Sequence, residues 1–323
     1  MDKKIILLRA LAIISILLHH TLCIYQKWPP ELSITPINNN LYCFFSSFFK
    51  GIGLTVFTFI SGYLLSMQIR NRHYNSSLSF IFKKVKRILL PCLFAGIIYY
   101  IISPQYSILG DPFNGSHLWY FIMIFMCFML YPIFNRFDDP FVLLLYIIII
   151  ALISRVIYYL SGDSIHFRQF LEFYKYVIIF HAGYILNSTK LDKLKKKVMY
   201  LIAIFIFLLV AAKPAAVSYL VCTLLLFHYA DFILMYIEKS KYGKIIYSVV
   251  SSHSFNIYII HQFIINYLVC KFTYSHNNSF YMLPLSFIFI LLFSISLSLL
   301  WSKIKLAVSS TYFKIYPKKK FNC

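Results

Sequence analysis

Long apolar runs broken by short basic clusters dominate the chain, and they decide the class of fold before any motif is considered. A helix needs about 20 mostly apolar residues to cross the hydrocarbon core of a bilayer. With that ruler about ten candidate spans emerge, at 5–25, 43–68, 88–104, 117–135, 140–160, 172–188, 197–212, 215–237, 250–270 and 281–302. Only Lys213 and Pro214 part the seventh from the eighth. The joined run is far too long for one crossing, and proline favours a break there. The expected fold is an all-α polytopic membrane helix bundle.

A net charge of +21 raises the question of a nucleic-acid binder, but with 60% hydrophobic and only 13% charged residues the chain is no soluble basic domain. The cations sit between apolar runs, as they do in cytoplasmic loops. With the N-terminus in the cytoplasm, Lys3/Lys4/Arg9, the stretch from Arg70 to Arg87, "KLDKLKKK" at 190–197, "EKSKYGK" at 238–244 and the tail "YPKKK" fall on one side. The other side receives Lys27, Arg168, Lys213 and Lys271. An even number of spans with both termini cytoplasmic satisfies the positive-inside rule. The division expected is a transmembrane domain at 1–308 and a basic cytoplasmic tail at 309–323. "MDKK" precedes the first apolar run, and no small-residue cleavage site follows it, so a retained first helix is expected. The 7 cysteines show no C-x-x-C spacing and read mostly as small buried hydrophobes, without a disulfide framework or zinc site.

Ionisable groups inside such spans are costly and are usually kept where they face a packed interior or do work. The first span, "LLRALAIISILLHHTL", carries three. Arg9 and His20 lie about 20° apart around a helix and about 16 Å apart along it, whereas His19 points about 80° away. Arg9 alone reads as an arginine snorkelling to headgroups, and the pair is equally compatible with packing and with chemistry. Before the third span, "FIFKKVKRILLP" sets Lys84 and Arg87 three apart, on one helix face and able to grip one phosphate, within what is otherwise a positive-inside cluster. Ser61 and Gly62 of "FTFISGYLLS" read as close helix packing. "GSHLWYF" puts His117, Trp119 and Tyr120 at an outer interface, where an aromatic belt accounts for the last two. In "SFNIYIIHQF", Ser254 and His261 share a face with Asn256 and Tyr258 nearby, either as an interhelical polar seam or as a site. His228 and Asp231 form a candidate charge-neutralising pair. No H-E-x-x-H, Walker loop or G-x-S-x-G occurs, so no metal site is expected.

Taken in order, Arg9 and His20, "FTFISGYLL", "KKVKRILLP", "HLWYF" and "SFNIYIIHQF" resemble the acyltransferase-three superfamily of bacterial integral-membrane O-acyltransferases, over nearly the whole chain. The resemblance implies a multi-pass enzyme of the inner membrane that moves an acyl group, most often acetyl from acetyl-CoA, to a hydroxyl of a surface glycan such as O-antigen or capsule. No permanently bound cofactor is implied; acetyl-CoA is the donor substrate. The implied partners are acyl-CoA, an envelope glycan or lipid-linked saccharide, and membrane lipid, with no nucleic acid. His20 would carry the essential histidine, with Arg9 and His117 as further catalytic residues. Arg9, Lys84 and Arg87 would hold the anionic end of the donor, and Trp119, Ser254, Tyr258 and His261 would contact substrate.

Two departures from the family pattern stand out. Lys84 replaces a second arginine, which loses bidentate phosphate recognition. "HLWYFIMIFMCFML" contains none of the acidic residues that many members have after the His-x-Trp motif. The rival from another class is a glycan transporter or export component without acyl transfer, with the buried polar residues lining a passage. A third is an assembly subunit in which they serve only as interhelical glue.

Overall fold

The structure, a computed structural model, describes residues 2–24, 40–70, 76–102, 117–130, 149, 156, 165–186, 214–266 and 282–315. Among these residues there is no strand. The expected spans at 140–160 and 197–212 lie outside the described residues, except for 149 and 156.

Helix α1 (Lys3–Ile24) is apolar on every side, which is the pattern of a helix enclosed by others. It packs against α2 (Asn40–Arg70), α7 (Pro214–Ile237), α8 (Lys241–Ser252), α9 (Ser254–Ile264) and α10 (Met282–Ile315). Among the described residues, four helices are long and apolar enough to cross a membrane: Lys3–Ile24, Cys43–Ile69, Tyr219–Ile237 and Leu283–Ile304. The first two have 61% and 56% of their most apolar window buried, the last two only 22% each. So α1 and α2 form the centre, while α7 and α10 turn Phe232, Tyr236, Phe289 and Leu292 outward, as helices bordering lipid do.

The α2 crossing with α6 (Ile165–Leu186) depends on two glycines that answer each other. A Cβ on Gly62 would collide with the carbonyl oxygen of Phe180, and one on Gly183 with that of Phe59. Small residues let helix backbones approach where lipid removes the hydrophobic drive for association. Nearby, Thr55 Oγ1 and Thr223 Oγ1 are 2.8 Å apart, and Thr58 Oγ1 lies 3.2 Å from the Tyr120 hydroxyl. Tyr120 is therefore buried, not part of an interfacial belt.

The third span differs from its expected regular helix. Helix α3 (Ser77–Lys84), capped by Ser76 Oγ accepting from the Ser79 amide at 3.2 Å, runs into a π-helical turn over Val85–Leu89 and then into α4 (Leu90–Ile102). Pro91 explains the turn. Its ring would clash with the carbonyl four residues earlier, that of Arg87, in a regular helix, and the wider turn relieves the clash.

The span expected at 250–270 is also divided. Helices α8 and α9 meet at His253, which leaves the helical region at φ −103° and whose Nδ1 lies 3.0 Å from Ser298 Oγ on α10. Helix α5 (Trp119–Met129) lies against α6 and the π turn.

Lys3 pairs with Glu238 at 2.9 Å and Lys4 with Asp231 at 3.2 Å, which brings the start of α1 and the end of α7 to one end of the bundle. Asp231 thus answers Lys4, and the expected His228–Asp231 pair gives way; the His228 ring packs against Tyr229 instead. Lys3 holds the Glu238 carboxyl below its usual range.

Gly62→Ala is expected to destabilise by about 1–3 kcal/mol through overpacking, read as a lower Tm of the purified protein. Gly62→Leu should yield no monodisperse protein, whereas Ser61→Ala, which removes a hydroxyl bonded back to the Phe57 carbonyl at 2.8 Å, should leave Tm nearly unchanged.

Candidate functional site

Three histidines from distant parts of the chain converge. His20 of α1 and His261 of α9 have ring centroids 4.9 Å apart, and His117, in the turn that opens α5, stands 5.2 Å from His261. His117 and His261 are buried and His20 is half-buried. His261 Nδ1 lies 3.2 Å from the Ile257 carbonyl oxygen, which can only accept, so Nδ1 carries the proton and Nε2 keeps its lone pair. Nε2 of His261 and Nε2 of His117 are buried with no hydrogen-bond partner within the described protein. Orphaned buried polar atoms are costly and rare, and they are tolerated where function needs them.

Two tyrosines lace the cluster together. Tyr258 donates its hydroxyl to the His117 carbonyl at 2.8 Å, and Tyr99 of α4 donates to the Ile259 carbonyl at 3.0 Å while its ring meets His117 edge-on at 5.2 Å. Each tyrosine buries an apolar ring and uses its polar tip to tie α9 to a different neighbour. The Tyr258 expected at the site is thus a brace, and Tyr99 is a brace that the sequence did not single out.

A cationic group occupies the region where α1 passes the π turn. Lys84 is only 6% exposed, with its ammonium 3.9 Å from the Phe128 ring centroid and 5.0 Å from that of Phe80. Arg87 is exposed, so the two do not share the face that regular i, i+3 spacing would give. Their charges nonetheless act on each other and, for both, on that of Arg9. Lys84 precedes the span expected at 88–104. Burial first, then the charges of Arg87 and Arg9, push its ammonium down to about 7.

The remaining candidates lie at the edges. Trp119 is half-buried against Tyr176 at 5.7 Å and Tyr120 at 6.2 Å, one layer from the histidines. Ser254 is buried at the first turn of α9, about 10 Å along that helix from His261. Among the described residues, no group of three or more His, Cys, Asp and Glu is arranged to hold a metal ion. Cys92 and Cys127 are buried as expected, but Cys23 is half-buried within a polar cluster, and Cys43 is exposed. Cys270 and Cys323 lie outside the described residues.

The arrangement offers proton acceptors in an apolar interior and positive charge about 16 Å away along the same helix. The acyltransferase-3 family, described as an acyltransferase domain, matches residues 2–302, a stretch that contains every residue of both groups. No curated protein and no solved structure matches the chain. With the match covering nearly its whole length, the chain belongs to the acyltransferase-3 family of membrane acyltransferases.

Proposed function

We propose that this acyltransferase is a multi-pass O-acetyltransferase of the bacterial inner membrane, moving acetyl from acetyl-CoA to a hydroxyl of an envelope glycan such as O-antigen or capsule, or of its lipid-linked precursor. The carrying observation is the placement of a cation group and a buried histidine cluster along one helix, with Arg9 near Lys84 and Arg87, and His20 against His261. CoA is anionic at one end and carries its thioester at the other, so a donor held by Arg9, Lys84 and Arg87 points its acyl group up α1 toward the histidines. Both termini are cytoplasmic and about ten helices cross the bilayer. The ion pairs that gather Lys3, Lys4 and the basic 238–244 segment at one end support that orientation.

A sugar hydroxyl is a weak nucleophile at neutral pH and needs a positioned base. His20 takes the hydroxyl proton, and His261, whose Nε2 is the unprotonated nitrogen, extends the same proton-accepting pair. His117 stands beside them, and the attacked thioester carbonyl releases its thiolate, which takes the hydroxyl proton back from His20.

Membranes bearing wild-type or His20→Ala protein, given acetyl-labelled acetyl-CoA and host surface glycan, test the assignment by base-labile label on the glycan. Loss of the base should cost about 10²–10⁴ in rate, and His20→Ala membranes that label at the wild-type rate would remove His20 from the role. Lys84 adds a pH signature. Its ammonium is charged below about 7 and neutral above it, so a KM for acetyl-CoA that depends on this charge should rise by up to about tenfold per pH unit above the transition. In Lys84→Arg, which stays charged, that rise should disappear.

A further inference from the structure

One turn beyond His20, α1 meets α2 in a second polar cluster that the reaction above leaves unused. His19 Nδ1 lies 2.9 Å from both the carbonyl oxygen and Oγ of Ser46. The carbonyl only accepts, so Nδ1 carries the proton and Nε2 is the basic nitrogen. Cys23 Sγ stands 3.7 Å from His19 Nε2, 3.6 Å from Nδ1 and 3.5 Å from Ser46 Oγ. The sulphur is nearly equidistant from the two nitrogens and so stands over the ring, not in line with Nε2; alignment comes with donor binding, since catalytic hydrogen bonds that are poorly aligned in the free enzyme tighten in the complex. A nucleophile, a base and a third group that fixes the tautomer of the base form the constellation of covalent catalysis.

Position completes the case. Cys23 lies about 21 Å from Arg9 along α1 and about 40° from it around the axis. It lies between the stripe of Arg9 and His20 and the direction of His19, and the His19 and His20 rings are 4.7 Å apart. Cys127, by contrast, is fully buried with its thiol on Met123 Sδ at 3.8 Å.

We infer that Cys23 is a covalent acyl carrier, taking the acyl group from acyl-CoA as a thioester and handing it to the acceptor hydroxyl. The inference rests on the acetyltransferase reading. In the first step His19 Nε2 takes the Cys23 proton, the thiolate attacks the acyl carbonyl, the carbon–sulphur bond to CoA breaks, and the CoA thiolate recovers the proton from His19. One thioester replaces another, so no oxidant or energy source is required. In the second step the acceptor hydroxyl, losing its proton to the adjacent His20, attacks the acyl-cysteine. The oxygen ester forms as the bond to Cys23 Sγ breaks, and the proton returns to the thiolate.

The test uses the full-length protein in membranes, acyl-labelled acetyl-CoA or succinyl-CoA, and no glycan. After acid quenching, protein-bound label is counted before and after neutral hydroxylamine, which cleaves thioesters and spares oxygen esters. Releasable label mapping to the Cys23 peptide is expected, absent in Cys23→Ala, about tenfold or more slower to form in His19→Gln, and discharged when glycan is added. His19→Gln retains the thiol, so it reports even where Cys23→Ala is poorly folded, and Cys222→Ala should label as wild type does. Wild-type protein without label from either donor, or releasable label that persists in Cys23→Ala, overturns the inference. Folded Cys23→Ala protein that still acylates glycan at the wild-type rate overturns it too, while leaving the acetyltransferase reading intact. Label on Cys23 that no glycan discharges keeps the carrier and overturns the glycan acceptor.

Discussion

Enclosure of the first helix is the constraint on which the rest depends. Bundles of this kind gain little from hydrophobic association between helices, because lipid is as apolar as leucine. A helix that carries arginine and histidine must find polar company inside the protein. α1 finds it on several sides at once: Arg9 near the π turn, His20 against α9, His19 against α2, and its first lysines on the carboxylates that end α7. The neighbours are fixed by what α1 needs, which is why residues far apart in sequence meet along it.

Much of this was legible because the α-helical period is rigid. The eleven-residue spacing of Arg9 and His20 set them on one stripe, and the structure gives that stripe a cation group near one end and a histidine cluster at the other. The Ser61–Gly62 reading as close packing also holds, with Gly183 as the partner that no local pattern could name. The reading failed where tertiary contacts decide. His19 lies off the Arg9–His20 stripe, yet that direction faces Ser46 and Cys23. Tyr120 resembled an interfacial belt residue until Thr58 supplied a buried partner for its hydroxyl. Tyr99 sits in an apolar stretch where nothing but the position of Ile259 reveals its purpose.

The π turn is a different kind of failure, since its cause was in view. Pro91 stands four residues after Arg87, and regular spacing through that point was never compatible with its ring. The consequence is chemical as well as geometric. A lysine expected beside an arginine on an open face is instead held among aromatic rings, and a compact ammonium tolerates that setting because it can give up its proton, which a guanidinium cannot.

The paired glycines where α2 crosses α6 carry an implication for movement. A seam in which each backbone rests on the other has no side chains between the helices to change rotamer and absorb displacement. Sliding along it would drive a bulky neighbour into the space that only a hydrogen atom now fills. The seam thus acts as a keel. Any opening of the bundle must come from helices joined through side chains, such as the outlying α7 and α10.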